Sequence, residues 1–145
     1  LGPMLYLMES LVRQAAGGAC AAPVLAAGFR TASLVPAIGL PAGTVICTDD
    51  GSAGFRGTVV DWLAGTATDA PPYLYACGPA PMLAAAAGLA RATGARYEAS
   101  LEQWMACGVG ACAGCAVRLV SGDYIKACVD GPVYDGLLVD WESYR

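Results

Sequence analysis

Four cysteines near the carboxyl end of the sequence have the spacing of a metal centre. They are Cys107, Cys112, Cys115 and Cys128. A zinc site built from four thiolates usually has two C-x2-C pairs, whereas this order is C-x4-C-x2-C-x12-C, with one such pair. The order is typical of plant-type ferredoxins, in which one loop wraps a [2Fe–2S] cluster and a later cysteine completes the ligand set. A structural zinc site, and buried cysteines without a metal, are the alternatives.

The segment from Cys107 to Cys115, which we call the cysteine loop, is rich in glycine. Gly108, Gly110 and Gly114 can adopt positive φ, and their lack of a Cβ lets main-chain N–H groups approach the cysteine sulfurs. We expect apolar neighbours such as Val109 to limit access of water, which together with hydrogen bonds sets a reduction potential. The loop therefore has the composition that an anionic cluster requires.

The composition is that of one ordinary folded domain, or of one domain with a small appendage. The chain has 145 residues, of which 57% are hydrophobic and 14% charged. Its net charge of −4 and the lack of a basic stripe argue against a nucleic-acid partner. The start has no signal-peptide pattern, and the uncharged stretch 70–90 contains four prolines, which exclude a membrane helix. We expect a cytoplasmic chain.

The other three cysteines lie outside this spacing. The total of seven is odd, and no secretory signal accompanies it, so a disulfide framework is not expected. Cys20 and Cys47 stand in apolar segments and are interpreted as small core residues. Cys77 differs because it ends a predicted strand directly before Gly-Pro.

Apolar strands alternate with helices along the first two thirds of the chain. Helices are predicted over 3–15, from Thr58 to Gly65 and from Pro79 to Gly94; strands are predicted over 22–29, 44–48, 72–78 and 96–101. This order predicts an α/β fold with a parallel sheet and helices on both faces. After residue 101 the sequence changes to Gly- and Cys-rich turns, with short strands expected over 116–120 and 124–127. We therefore predict a nucleotide-binding domain over 1–101 and a small module over 102–145.

The carboxyl ends of the predicted strands carry polar and small residues. Ligands of parallel sheets bind at these ends, which are marked by "GFR", "TDDG" and "ACGP". Carboxylates at such an end can accept hydrogen bonds from ribose hydroxyls, and Arg30 can face a phosphate. A solvated acidic turn and a surface arginine are the plainer interpretations.

These motifs, taken in order, resemble a known family. "LGP", "GFR", "TDDGSAGFRG" and "YACGPAPML" are similar to the pyridine-nucleotide half of the ferredoxin-reductase family. With the four-cysteine pattern and "KACVDGPVYDG", the whole chain resembles the electron transfer subunit of class 1B dihydroorotate dehydrogenase. In that family a β-barrel binds FAD, a second domain binds NAD, and a C-terminal module holds a [2Fe–2S] cluster.

The resemblance also implies roles for individual residues. It assigns cluster ligation to the four cysteines, a nicotinamide-side role to Cys77, Gly78 and Pro79 with Met82, and an adenosine-side role to Asp49, Asp50 and Gly51. Arg30 and Gly2 complete the expected cofactor-binding set. The flavin barrel and the first strand of the nucleotide domain, whose glycine loop would run into Gly2, are missing from the sequence. We expect it to be a fragment or an incomplete gene product.

The function that the resemblance implies is electron transfer. Electrons would pass from the FMN of a separate catalytic subunit through the cluster and FAD to NAD, and no residue of this chain would act on dihydroorotate. Small subunits of NADH-dependent ferredoxin:NADP oxidoreductase and of sulfide dehydrogenase are also similar, but generally carry aspartate where this chain has Cys107. A reductase of ferredoxin, sulfide or hydrogenase partners, or a zinc-stapled docking module without enzymatic activity, are the alternatives. The sequence does not distinguish NAD from NADP.

Overall fold

The computed structural model describes residues 2–18, 21–37, 39–66 and 73–144. The helices are α1 (Gly2–Ala16), α2 (Val59–Ala64) and α3 (Ala80–Thr93). The strands are β1 (Ala26–Phe29), β2 (Val45–Thr48), β3 (Phe55–Arg56), β4 (Tyr73–Cys77), β5 (Arg96–Ser100), β6 (Ala116–Arg118), β7 (Tyr124–Lys126) and β8 (Val133–Asp135). The chain packs into two compact units, Leu1–Ala67 and Thr68–Arg145, called the first and second unit below.

The first unit contains a parallel sheet with the strand order β1-β2-β3. Ala26 pairs with Val45 and Phe29 with Thr48, so β1 and β2 end side by side. Cys47 is fully buried in β2, which confirms it as a core residue, and burial raises the pKa of its thiol. Cys20 lies outside the described residues.

Both helices of the first unit follow the local sequence signals. In α1 the side chains of Glu9 and Arg13 form the i,i+4 ion pair at 2.9 Å. Helical spacing places Val12 on the same face as the apolar residues Met4, Leu5, Met8 and Leu11, yet it is 47% exposed. The α2 helix begins with a capping box, in which Asp61 N–H donates to Thr58 Oγ1 at 3.1 Å and Thr58 N–H donates to Asp61 Oδ2 at 2.9 Å.

The second unit is built on a mixed sheet with the order β4-β5-β8. β4 and β5 are parallel, and β8 returns antiparallel to β5. Helix α3 packs on β4 and β5 through an apolar face of Leu83 and three alanines, Ala86, Ala87 and Ala90, which are buried. Tyr97 of β5 is buried in this core and its hydroxyl donates to the Leu83 carbonyl at 3.1 Å.

The remaining strands, β6 and β7, pair as an antiparallel hairpin in the same unit. Leu119 and Val139 form an isolated antiparallel bridge after β6, and Val139 is fully buried. The C-terminal segment continues to Trp141, whose indole N–H donates to the Gly136 carbonyl at 2.7 Å. The hairpin is therefore packed against the chain that follows β8.

The structure confirms the α/β architecture with parallel strands and departs from the sequence prediction in several places. The strand predicted at 72–78 is β4, but it is not fully buried, since Tyr73 is 46% exposed. Strand β8 was not predicted. The chain divides into its two packed units at 67–68. The boundary at 101–102, between a nucleotide-binding domain and a small C-terminal module, stays a prediction. No helix within the described residues is long and apolar enough to cross a membrane.

Candidate metal centre

The β6–β7 hairpin and the cysteine loop position the four cysteines. Cys115 directly precedes β6, and Cys128 follows β7 by two residues. Ala116 pairs with Lys126, and Ala127 N–H donates to the Cys115 carbonyl at 3.1 Å. The hairpin therefore brings the third and fourth cysteines to the same end, although they are far apart in the sequence.

The four thiols influence one another as two pairs, Cys107 with Cys112 and Cys115 with Cys128. The pairs also interact: the pKa of Cys128 is raised mainly by its own partner Cys115 and by burial, and charge on Cys107 of the other pair raises it further. Cys115 is buried, whereas Cys112 is exposed. All four predicted ligands thus meet in one region of the second unit.

Main-chain N–H groups surround the sulfur of Cys107. The amide of Val109, followed by those of Cys112 and Ala111, holds the pKa of this thiol at about 6, well below its ordinary value. Cys112 N–H lies 3.5 Å from Cys107 Sγ. These amides therefore favour a thiolate at the first position of the loop, which is the form that binds a metal.

The second pair is arranged in a similar way. Hydrogen bonds from Cys128, first from its main chain and then from its thiol, lower the pKa of Cys115. The pKa of Cys128 is raised because its thiol is the donor of that bond and because burial disfavours its charged form, while the Gly110 amide acts in the opposite direction. Each pair therefore contains one thiol whose pKa is lowered by its surroundings, Cys107 in the first pair and Cys115 in the second.

The backbone of the cysteine loop confirms two of the three predicted glycine positions. Gly108 and Gly110 have φ of 68° and 77°. Gly114 does not have positive φ; Ala113 has a φ of 55° instead, and Gly114 N–H then points to Cys112 Sγ at 3.4 Å. The expected water exclusion by Val109 is wrong, because its side chain is 73% exposed.

The chemistry of the donor set fits an iron–sulfur cluster. Four thiols supply a four-thiolate ligand set, and the N–H groups directed at the sulfurs of Cys107 and Cys112 suit its negative charge. Among residues 2–18, 21–37, 39–66 and 73–144, no group of three or more cysteine or acidic side chains is placed to hold a single metal ion.

The predicted adenosine-side residues meet at one edge of the first unit. Asp49 N–H donates to the Phe29 carbonyl at 3.1 Å and Asp50 N–H to the Arg30 carbonyl at 3.4 Å, because β1 and β2 end together. Asp50 Oδ1 accepts from the Ser52 hydroxyl and amide, which lower the pKa of this carboxyl. Asp50 thus organises its own loop. Gly2 begins α1.

The predicted nicotinamide-side residues lie at the carboxyl end of β4 in the second unit. Pro79 is the N-cap of α3, and a Cβ on Gly78 would come within 2.6 Å of Met82 Cε, so glycine lets the thioether lie against the turn. Cys77 Sγ lies 3.9 Å from Glu102 Oε1.

Two side chains beside these sites were not predicted. The Tyr144 hydroxyl accepts from Glu102 N–H at 3.0 Å and donates to the Glu102 carbonyl at 2.9 Å, so the C-terminal segment holds the exit of β5. Lys126 donates to the Gly110 carbonyl in the cysteine loop at 2.6 Å. The sequence could have identified Lys126, because it is the only lysine of the sequence and stands two residues before Cys128.

Comparison with known proteins agrees with this geometry. Residues 102–140 match the model of the iron–sulfur cluster binding domain of dihydroorotate dehydrogenase B. The chain is 39% identical to the electron transfer subunit of dihydroorotate dehydrogenase B (NAD(+)) of Desulforamulus reducens over 115 residues, covering 72% of this chain and 42% of that one. A probable subunit of the same name from Archaeoglobus fulgidus is 32% identical over 97% of this chain and 58% of its own length.

A solved structure gives the same fold. It is that of an NADH-dependent reduced ferredoxin–NADP oxidoreductase that performs flavin-based electron bifurcation, with a TM-score of 0.67 and 30% identity, over 83% of this chain and 45% of that chain. The present chain spans about half the length of the curated relatives it matches. The chain is therefore a relative of the electron transfer subunits of dihydroorotate dehydrogenase B, and residues 102–140 match the iron–sulfur cluster binding domain of that enzyme.

Proposed function

We propose that this chain is the NAD-side and cluster-binding part of an electron transfer subunit of dihydroorotate dehydrogenase, an oxidoreductase of pyrimidine biosynthesis. Electrons pass from the FMN of a catalytic subunit through a [2Fe–2S] cluster and FAD to NAD. The names of the relatives support the subunit and its NAD, and the family match supports the cluster.

The arrangement of the four cysteines carries this proposal: main-chain amides are directed at the sulfurs of Cys107 and Cys112, and the β6–β7 hairpin brings Cys115 and Cys128 to the same end. A [2Fe–2S] cluster supplies one-electron transfer between flavins, each of which exchanges one or two electrons. Cys107 and Cys112 are proposed as the ligands of one iron. Cys115 and Cys128 are proposed as the ligands of the other.

The polypeptide contributes binding and electrostatics. The amides of Val109, Ala111 and Cys112 offset the negative charge that a thiolate cluster places in the loop. Their positions are fixed by the backbone and need no reorganisation when charge arrives. The residues of this chain hold and tune the redox group, and the chemistry on dihydroorotate belongs to the partner subunit.

The nucleotide side is proposed from the same family resemblance. Asp49, Asp50 and Gly51, with Arg30, serve the adenosine end of NAD. The strand end at 77–79, together with Met82, serves the nicotinamide end. FAD is proposed to bind mainly to residues outside this sequence, and a cytoplasmic location suits the free thiols of the described residues, which a reducing compartment preserves.

The experiment is NAD reduction by dihydroorotate in the native complex that contains this chain. The Cys112→Ser variant is expected to lose most of this activity, because one proposed iron ligand is removed. Cys47→Ala is the matched control, since it removes a thiol that is buried in β2 and takes no part in the loop. Full activity of Cys112→Ser, or no NAD reduction by the wild-type complex, would overturn the proposal.

A second candidate keeps the cluster and changes the electron donor. The likeness to the ferredoxin–NADP oxidoreductase structure favours a reductase whose partner is ferredoxin rather than dihydroorotate. Cys107 favours dihydroorotate, because the similar ferredoxin-linked subunits generally carry aspartate at that position. The two donors are distinguished by the loss of the cluster's visible absorbance on reduction. Loss on adding dihydroorotate with the FMN subunit indicates the first donor, and loss on adding reduced ferredoxin alone indicates the second.

A further inference from the structure

The only lysine of the sequence is directed into the cysteine loop. Lys126 ends β7, and its ammonium group donates to the Gly110 carbonyl at 2.6 Å in a partly buried contact. Its main chain is held as well, because Lys126 N–H donates to Asp130 Oδ2 at 2.8 Å and Asp130 N–H donates to the Lys126 carbonyl at 2.9 Å. Lys126 therefore ties the turn that carries Cys128 to the loop that carries the other three cysteines.

The contact fixes the direction of one peptide group. In a trans peptide the C=O and the N–H of the same unit point in opposite directions. The carbonyl of Gly110 faces Lys126. The N–H of the same unit belongs to Ala111 and points away from the lysine, and it adds to the amides of Val109 and Cys112 that lower the pKa of Cys107. Gly110 N–H faces Cys128. Movement of the lysine would therefore release an amide that is directed at a sulfur.

The space around Gly110 makes this arrangement specific. A Cβ at Gly110 would lie 3.1 Å from Val129 Cγ2 and 3.7 Å from Lys126 Cδ. The aliphatic part of the Lys126 side chain and the Val129 side chain thus cover the Gly110–Ala111 peptide, while the ammonium group donates a hydrogen bond to its carbonyl oxygen. A positive charge held against this loop favours the redox state that carries the extra electron.

We propose that Lys126 is a positioning residue that raises the reduction potential of the cluster, by its charge and by holding the Gly110–Ala111 peptide toward Cys107. The inference rests on the proposed function, because it requires a [2Fe–2S] cluster in the loop. It adds a residue that binds neither iron nor nucleotide but sets how readily the chain accepts an electron.

The test is the midpoint potential of the anaerobically reconstituted full chain, followed by EPR during a dye-mediated titration. Lys126→Met is expected to shift the oxidised-to-reduced ratio at fixed potential by about tenfold toward the oxidised form, which corresponds to about 59 mV for one electron. Lys126→Arg should stay close to wild type. Arg91→Met is the control, since Arg91 also donates to a main-chain carbonyl, that of Leu137 at 3.0 Å, in a segment without cysteines.

Iron and acid-labile sulfide are measured on every variant. A loaded Lys126→Met protein with the wild-type midpoint overturns the inference and leaves the proposed function intact. A wild-type chain that binds no iron or sulfide overturns both. If Lys126→Met does not load, Lys126→Gln decides the question. This variant lacks the charge but keeps an N–H donor, so a midpoint below wild type supports the inference and an unchanged midpoint refutes it.

Discussion

Replacement of Gly110 by alanine should destabilise the cysteine loop more than the same change at Gly108. Both glycines have positive φ, 77° and 68°, so each alanine variant pays the cost of a left-handed conformation, roughly 1–2 kcal/mol. A Cβ at Gly108 meets nothing within 4 Å, whereas at Gly110 it lies 3.1 and 3.3 Å from the two Val129 methyl groups. Val129 is 54% exposed and can yield in part, so this overpacking costs about 1 kcal/mol in addition, the low end of the cost in a packed core.

The difference between the two variants isolates the packing contribution. Alanine restricts the unfolded chain equally at both positions, so that effect cancels. Urea unfolding of the metal-free chain is followed by tryptophan fluorescence in a Trp62→Phe background, which leaves both remaining tryptophans in the second unit. With m unchanged, the midpoint of Gly110→Ala should lie below that of Gly108→Ala by an amount equivalent to about 1 kcal/mol. Equal midpoints would refute the claim that Val129 closes the space over Gly110.

Further predictions concern the core, the loop strain and the thiol ionisation. Tyr97→Phe removes the buried hydroxyl that donates to Leu83, and urea unfolding should show a loss of about 1 kcal/mol; an unchanged midpoint would contradict this. Ala113→Gly relieves the positive φ at position 113 and should raise the unfolding free energy by about 1 kcal/mol, the opposite sign to most loop substitutions; destabilisation would count against the observed backbone. In the metal-free chain, alkylation of Cys107 by iodoacetamide should rise with pH around a midpoint of about 6, because the thiolate predominates above its pKa, whereas Cys128 should react only at alkaline pH. Peptide mass spectrometry measures both profiles, and identical profiles would contradict the assigned amide contacts.

Sequence patterns predicted the elements whose signals are local. The capping box at Thr58 and Asp61 and the left-handed Gly94 at the end of α3 depend on residues a few positions apart, and both are present. β8 was missed because its pairing with β5 joins residues far apart in the chain, through a segment with Gly131 and Pro132 that is typical of a turn. The exposure of Val12 could not be predicted locally either, because helical periodicity identifies an apolar face but not which other segment covers it.

The sequence pointed to the four candidate cysteines but not to the geometry of the loop around them. The spacing of the four cysteines follows from the geometry of a wrapping loop, so a pattern of thiols alone indicates it. Which residue takes the left-handed conformation depends on the whole loop, and Ala113 rather than Gly114 does so. The contact between Lys126 and Gly110 joins two segments that only the β6–β7 hairpin brings together.

The central claim is that the four cysteines hold a [2Fe–2S] cluster. The most direct measurement is iron, zinc and acid-labile sulfide per chain in anaerobically purified protein, with an EPR spectrum after dithionite reduction. Iron and sulfide are expected in equal amounts, close to two of each per chain, together with the half-integer-spin signal of a reduced [2Fe–2S] centre. Zinc without labile sulfide would contradict it and would make the four cysteines a structural staple.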